Sequence, residues 1–517
     1  MKKFMKTKFL IFFSLISTFG FSQNLTINNG ATLTISKDGK LTVSGSLTNS
    51  GDLYIEQDAD ESGSLIAKSA STPTITLKKY LVGSQWTLIG IPVTGEVVND
   101  IDDNLATNSG KSAIGYWDND KAGGAGWVTF NTGSTDANEL VPTRGYEIMR
   151  SSSGTVSFTG TMLNSDQTQA ITTETGTNGN WNLVGNPFPS YLNMTDDSSD
   201  ATNNFLTANA SALGNGAYVA VYAWDGSNYD TYNQSDGDSQ DKMAPGDGFF
   251  VYASSDTNVS FTEAMQEHDG GIGFVGSVAP PSDPLNGPNN SEVLNREVYY
   301  KLKMDDQSEN KHVLISFTDQ STKGLDPGYD AGVFRIGNSH IYSKLLDDDN
   351  GIGFSIQSLP YSEINNVVVP LAIDSKSSKI SIGVVQNTLP LGTLVYMEDR
   401  SLKTFIEIDN DYTVNTNSEL NGYGRFYLHF TNDIIPELPT DGDFRIFKIS
   451  ENEVRLMGDS DKNYNANIYD FSGRLIKTLN FDHKIDVNNL KKGIHVLKLS
   501  SEGVITTKKF VVEWSFY

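Results

Sequence analysis

Two tryptophan–aspartate pairs are the residues of this sequence best suited to binding a ligand. Trp117 is followed by Asp118, and Trp224 is followed by Asp225. An indole ring can stack on the face of a sugar ring, and a neighbouring carboxylate can accept hydrogen bonds from sugar hydroxyls. The pairs therefore form a candidate glycan-binding site, with burial of both tryptophans in the core as the alternative.

Trp86 and Trp181 lie in a different environment, because each stands at the head of an apolar string. A tryptophan at the start of an apolar strand is normally buried. We therefore predict that both of these residues belong to the core.

Side chains that are typical of catalysis do not form a recognisable arrangement. The six histidines are scattered, and the chain contains no cysteine. We find no Gly-x-Ser-x-Gly elbow and no phosphate-binding glycine loop. Carboxylates are plentiful, so the two-carboxylate chemistry of a glycosidase stays open. We expect a protein that binds an extracellular glycan or protein ligand without catalytic activity, with an extracellular carbohydrate-active enzyme and a purely architectural surface protein as alternatives.

Acidic loops offer weak candidate sites for calcium. Asp236, Asp238 and Asp241 lie close together in a polar loop, although a solvated acidic loop without a metal explains this cluster better. The run that begins at Asp459 resembles an EF-hand loop, but Tyr464 occupies the place of its central glycine, and we reject it. We predict no metal site and no cofactor, and keep weak calcium binding as an alternative.

The elements that must hold the tryptophans are duplicated. Residues 86–92 match residues 181–187 at an offset of 95, and residues 142–148 match residues 245–251 at an offset of 103. Five of the six tryptophans lie in this region. The pattern indicates that one unit of roughly 100 residues was duplicated.

Short alternating apolar runs, separated by Gly, Asn and Asp, predict an all-β fold. Near the N-terminus, the runs at 25–27, 33–35 and 41–43 recur every eight residues with glycines between them. This spacing fits the coils of a β-solenoid or a meander of short hairpins equally well. In either form, so few strands should pack on the region that follows.

Composition restricts the partners. An apolar content of 38% and an aromatic content of 10% argue for a folded chain. A net charge of −25 argues against binding to nucleic acid, which requires basic patches. Without cysteine, no disulfide framework holds the fold together.

The N-terminus has the pattern of a secretory signal peptide. Lys2, Lys3, Lys6 and Lys8 precede an apolar run, and 22–23 is a plausible cleavage point. We find no other segment apolar for long enough to cross a bilayer. We therefore predict a protein without a transmembrane segment once the signal is removed.

The domain boundaries follow from the repeats, the proline-rich stretches and the charge distribution. We predict a signal peptide at 1–22, a solenoid-like segment at 23–72, β repeat 1 at 73–172, β repeat 2 at 173–274, a proline-rich linker at 275–292, a β-sandwich domain at 293–433, a second linker at 434–443 and a small C-terminal β-sandwich at 444–517.

The C-terminal segment carries ordered motifs. These comprise Tyr469, Asp470, Gly473, Arg474, Leu490, Gly493, Lys508 and Lys509. Their order resembles the C-terminal sorting domain of cargo of the type IX secretion system of Bacteroidetes. The resemblance implies export through the outer membrane to the cell surface or the medium, with the secretion machinery as partner. One departure is that residues 513–517 follow the point at which the family pattern usually ends.

The region before this segment has a second resemblance. Glu398-Asp399-Arg400 is followed by Arg425-Phe426. This order is similar to that of the β-sandwich domain that often precedes the sorting domain in such cargo. The resemblance implies an adhesin-like surface protein.

Overall fold

The fold is that of a computed structural model, which describes most of the chain. The described residues are 20–22, 24–69, 72–121, 126–136, 139–175, 179–195, 203–214, 216–226, 229–235, 242–268, 297–306, 310–335, 337–349, 351–408, 412–416, 419–432, 445–450, 453–457, 464–481, 484–486, 490–491, 493–501 and 504–512. The predicted signal peptide lies almost wholly outside these ranges.

Strands dominate the described residues, and the all-β prediction is confirmed. The helical segments are short: Val98–Ile101, Asp102–Asn104, Phe205–Asn209, Glu263–Met265 and Tyr361–Glu363.

The described residues fall into two compact units. Unit 1 takes those within Met1–Ala212, Ala223–Gly226 and Gln240–Ser282. Unit 2 takes those within Leu213–Tyr222, Ser227–Ser239 and Asp283–Tyr517.

Unit 1 begins with a β-solenoid. Its strands pair in parallel: Leu25–Ile27 with Leu47–Asn49, Thr32–Ile35 with Asp52–Glu56, and Lys40–Val43 with both Ser64–Ala67 and Gly20–Ser22. Parallel pairing of successive coils is the geometry of a solenoid, whereas a meander would pair its strands in antiparallel. The structure therefore decides between the two predicted forms in favour of the solenoid.

The solenoid continues directly into the first repeat. Thr74–Leu81 pairs in parallel with Asp52–Glu56 and in antiparallel with Gly154–Met162, which also pairs with Val93–Thr94. The two coils and this sheet share one buried core. The short solenoid is thus completed by the next region, as its small number of coils required.

Each repeat contributes further strands to unit 1. Those of the first repeat are Thr87–Ile89, Thr107–Asn108, Lys111–Trp117, Trp127–Asn131 and Tyr146–Ile148. The second contributes Gln167–Ile171, which pairs with Thr257–Phe261, and Trp181–Gly185, which pairs with Gly248–Tyr252. Tyr191–Asn193 pairs with Lys242–Met243 and with Gln266–Glu267. The second repeat also contains Val221–Trp224, of which Ala223 and Trp224 belong to unit 1, and Tyr229–Tyr232, which belongs to unit 2.

Unit 2 is built around one large, mostly antiparallel sheet. Its strands are Glu297–Asp305, Asn310–Thr318, Ala331–Gly332, His340–Ser343, Phe354–Pro360, Asn366–Asp374, Lys379–Asn387, Leu394–Asp399, Thr404–Glu407, Tyr412–Asn415 and Phe426–Thr431. Tyr300, Phe317 and Leu428 are among the residues of its core. The Tyr222 hydroxyl donates a hydrogen bond to the Gly332 carbonyl at 2.8 Å, which ties a segment of the second repeat to this sheet.

The C-terminal segment of unit 2 forms two further sheets. One contains Arg445–Ser450, Glu453–Met457 and Lys484–Asp486, and the other contains Tyr464–Asp470, Leu475–Phe481, Gly493–Ser501 and Val504–Val512.

Candidate functional site: the two tryptophan faces of the tandem repeat

The two repeats have the same strand register. Tyr146 lies opposite Ile89 in the first repeat, and Phe249 lies opposite Val184 in the second. These positions differ by the same 103 and 95 residues that separate the matching strings in the sequence. Each residue of one repeat can therefore be assigned an equivalent in the other.

The repeats contact each other reciprocally along a glycine-rich seam. The Gly90 amide donates to the Gly246 carbonyl, and the Gly185 amide donates to the carbonyl of Thr143, both at 3.0 Å. Thr143 and Gly246 are equivalent positions, so the two bonds are related by an approximate two-fold axis. A Cβ atom on Gly185 would lie 2.5 Å from the Cα of Gly90, and only glycine permits this approach.

The tryptophan face that contains Trp117, which we call the closed face, is buried. Trp117 is 7% exposed, and its Nε1 donates a hydrogen bond to the Trp181 carbonyl at 2.9 Å. The rings of Trp127 and Phe250 each lie 5.2 Å from the Trp117 ring, edge to face. Trp181 packs in the same manner against Tyr252 at 5.0 Å. The core prediction for Trp181 is confirmed, and the structure removes Trp117 from any surface that a ligand reaches.

The equivalent face, which contains Trp224 and Trp86 and which we call the open face, has the same hydrogen bond, but its tryptophans are less buried. Trp224 Nε1 donates to the Trp86 carbonyl at 2.8 Å, as Trp117 does to Trp181. Trp86 is nevertheless 37% exposed, and Trp224 is half-buried. The prediction that Trp86 belongs to the core is therefore wrong.

Two substitutions between the repeats explain the difference. Glu147 stands at the position of Phe250, and Met149 stands at the position of Tyr252. The rings that Phe250 and Tyr252 place on the closed face are thus missing from the equivalent positions of the open face. The exchange is visible in the sequence, because Glu147 places a carboxylate where the matching string has the ring of Phe250. Glu147 is the residue that the sequence reasoning missed.

Glu147 is a nearly buried acid, which its equivalence to Phe250 assigns to the open face. It is 9% exposed and lies opposite Leu88 and Gly115 in the sheet. Gly115 adds no side chain beside it. Among the described residues, the Glu147 carboxyl makes no hydrogen bond or ion pair. Burial therefore raises its pKa to about 8, so that the group is protonated at neutral pH and can donate as well as accept a hydrogen bond.

The two predicted aspartates lie at the edges of these faces. Asp118 is part of a turn, in which its carboxylate accepts from the Asp120 amide at 3.2 Å. Asp225 is half-buried next to Trp224. Gly226 follows with a φ of +97°, and a side chain there would collide with the amide of Gln85. The open face therefore combines two accessible indoles with polar groups.

A buried ion pair, formed by Lys79 and Asp247, lies next to the glycine-rich seam. Lys79 Nζ lies 2.5 Å from Asp247 Oδ1, and the lysine side chain is fully buried. Gln57 also accepts from this ammonium, at 3.2 Å. Burial raises the pKa of Asp247, and the charge on Lys79 opposes that shift. The equivalent position holds Arg144, whose guanidinium stacks 3.7 Å from the Tyr116 ring centroid.

The Glu-Asp-Arg and Arg-Phe motifs of unit 2 have a structural role. The Arg425 guanidinium donates to both oxygens of the buried Asp399 carboxylate, at 2.9 Å and 2.8 Å. The Ser401 amide donates to the same group at 2.9 Å. Glu398 pairs with His429 at 2.9 Å. These contacts join neighbouring strands and leave no open acid pair on this motif.

The candidate calcium residues fall between the described ranges. Asp236, Asp238, Asp241 and the start of the EF-hand-like run at Asp459 lie outside the described residues. Within the described ranges, no group of three or more His, Asp or Glu side chains is arranged to hold a metal ion.

The sorting motif forms a tight hairpin. The Asp470 carboxylate accepts from the Ser472 hydroxyl at 2.6 Å and from the amide of Arg474 at 3.0 Å, while Gly473 adopts a φ of +82°. The Ser472 hydrogen bond is the main cause that lowers the pKa of Asp470. The Asp470–Gly473–Arg474 pattern is thus explained by turn geometry.

The other motif residues belong to the same sheet or lie beside it. Tyr469 pairs with Val496, Gly493 pairs with Val512, and Leu490 is buried. Lys508 and Lys509 lie opposite Leu497 and Val496 on the last described strand. The tail at 513–517 lies outside the described residues.

This fold and these motifs define an all-β cargo protein of the type IX secretion system. The family model of the secretion system C-terminal sorting domain matches residues 445–513. The protein is therefore exported by the type IX machinery of Bacteroidetes to the cell surface or the medium. Within the described ranges, every helix falls short of the length and apolarity needed to cross a bilayer.

A second family model covers most of the chain. The domain of unknown function DUF8693 matches residues 10–430, and the chain belongs to that family. A search of curated proteins found no match.

Proposed function

We propose that this exported protein is a non-enzymatic binding protein, of adhesin-like type, that recognises neutral glycans through the open face. The observation that carries the proposal is the contrast between equivalent sites. Trp117 and Trp181 are closed by aromatic rings, whereas Trp224 and Trp86 are left accessible. A face that keeps two indoles but loses their covering rings is suited to stack on sugar rings.

The polar groups and the net charge favour a neutral ligand. A protonated Glu147 donates a hydrogen bond to a hydroxyl or carbonyl oxygen, and Asp225 accepts from hydroxyls. A chain with a net charge of −25 repels anionic polysaccharides over long range. Neutral glycans, rather than sulfated or uronic acid polymers, therefore fit the open face best.

The first experiment is a glycan array probed with the purified full chain, with and without calcium. Hits are then titrated by calorimetry against Trp86→Ala and Trp224→Ala. Trp86→Ala removes only the indole, because the hydrogen bond from Trp224 goes to the backbone carbonyl of Trp86. We expect each variant to weaken binding by at least about tenfold. Leu391→Ala, which changes a fully exposed side chain of unit 2, is the matched control and should bind normally.

Three outcomes would overturn the proposal. Binding that survives both tryptophan variants would place the ligand elsewhere, and no binding in either condition would favour the architectural function. Release of new reducing ends from a bound glycan would instead favour the carbohydrate-active enzyme, which needs two carboxylates at roughly 5–10 Å.

A further inference from the structure

The first coil of the solenoid leaves the hydrophobic core open at its end. Its leucines lie in register with those of the second coil: Leu25 with Leu47, Leu33 with Leu53, and Leu41 with Leu65. The second-coil leucines are at most 3% exposed, whereas those of the first coil are only partly buried. The columns that end at Leu25 and Leu33 are therefore half-exposed and have no described strand beyond them, whereas Leu41 lies opposite Gly20 of the strand Gly20–Ser22.

The backbone of this coil also has a free edge. Among the described strands, Thr32–Ile35 pairs only with Asp52–Glu56. The Ala31 carbonyl accepts from the Asp52 amide at 2.9 Å, so this carbonyl and the backbone groups of residue 33 face the second coil. Since alternate residues of a parallel strand face opposite sides, the amides and carbonyls of Thr32 and Thr34 point away from the solenoid.

The free edge lacks the usual protection against pairing. Natural edge strands carry charges or prolines that prevent contact with another strand. Residues 24–36 contain no Asp, Glu, Lys, Arg or Pro. The charge that follows them is locally compensated, because Lys37 Nζ lies 2.5 Å from Asp58. An uncharged, partly apolar edge on so acidic a chain is suited to being covered.

We propose that a second copy of this chain covers the first coil, with Thr32–Ile35 of the two copies paired in antiparallel across a two-fold axis. A two-fold contact places each surface against itself. For a chain with a net charge of −25, such a contact is favourable only where the surface is uncharged, and the first coil provides such a surface. The half-exposed leucines of each copy would then lie in one shared core.

The test is the oligomeric state of the full chain by sedimentation velocity over a range of concentrations. Thr34→Pro removes an outward-facing amide and no hydrogen bond to the second coil, so the coil should still fold. We expect the wild-type chain to dimerise and Thr34→Pro to raise the dissociation constant at least about tenfold. Thr34→Val, which retains the amide, is the matched control and should dimerise normally.

Hydrogen exchange gives a second measurement that does not depend on the variant. In the dimer, the amides of Thr32 and Thr34 should exchange more slowly as protein concentration rises. A wild-type chain that stays monomeric at about 100 μM would overturn the proposal. A dimer in which these amides exchange as fast as in dilute protein would also overturn it, since another surface would then be responsible.

Discussion

The closed and open faces are two versions of one site. Both keep a tryptophan whose indole donates to the carbonyl of a tryptophan in the other repeat. On the closed face, Phe250 and Tyr252 pack against the tryptophans, which are buried in the core. On the open face, Glu147 and Met149 leave them accessible. The comparison teaches that equivalent tryptophans can be core in one repeat and accessible in the other, and that the two faces differ at two positions of one strand.

The largest expected effect comes from removing the two donor tryptophans one at a time. Trp117→Ala should lower the free energy of unfolding by about 3–5 kcal/mol, because it leaves a cavity among Trp127 and Phe250. Trp224→Ala should cost about 1 kcal/mol, because its ring is only half-buried. Urea denaturation followed by circular dichroism measures both. Equal costs would mean that the two faces do not differ in packing.

A second comparison uses the equivalent positions 247 and 144. Asp247→Asn should lower the free energy of unfolding by about 3 kcal/mol, because it leaves the buried Lys79 charge without its carboxylate. Arg144→Met should cost about 1 kcal/mol or less, because only a partly exposed cation–π contact is lost. The same denaturation experiment checks both variants. A small effect of Asp247→Asn would show that Lys79 finds another partner or loses its proton.

The third prediction concerns pH. Since Glu147 has a pKa of about 8 in the folded chain and an ordinary value near 4.5 when unfolded, it keeps its proton longer in the folded state. The free energy of unfolding should therefore fall as pH rises from about 4.5 to about 8, by up to roughly 1.4 kcal/mol per unit.

Glu147→Gln removes this contribution. Its melting temperature should match that of the wild type near pH 4 and exceed it near pH 8. Some pH dependence should remain, because burial also raises the pKa of Glu96 to about 7. If the wild type and Glu147→Gln respond identically to pH, the Glu147 carboxyl is not held in a desolvated site.

The smallest effect is expected from rebuilding part of the closed face on the open one. Met149→Tyr introduces the ring that Tyr252 provides beside Trp181. It should cover Trp86 and reduce quenching of tryptophan fluorescence by acrylamide, with a stability change below about 1 kcal/mol. Met149→Leu is the control and should leave quenching unchanged. Unchanged quenching in the tyrosine variant would mean that residue 149 does not determine the exposure of Trp86.

Much of this architecture could be predicted from local patterns. The offsets of 95 and 103 residues reappear as equivalent strand registers, and the Asp470–Arg474 motif, which the sequence comparison singled out, forms a turn. The exposure of Trp86 could not be predicted from its own string, because it depends on residues 147 and 149 of a neighbouring strand. Nor does the sequence indicate that Tyr222 bonds to Gly332, 110 residues away. Long-range contacts of this kind leave no local periodicity.

The reciprocal glycine seam has a consequence for how the two faces could diverge. Two separate copies of a single repeat, associated by such a seam, would carry every substitution on both faces at once. Joining the copies in one chain replaces a concentration-dependent association by an intramolecular one with a high effective concentration. It also allows a substitution in one repeat without the same substitution in the other. In a covalently linked pair, the tryptophans of one face can stay buried in the core while those of the equivalent face become exposed.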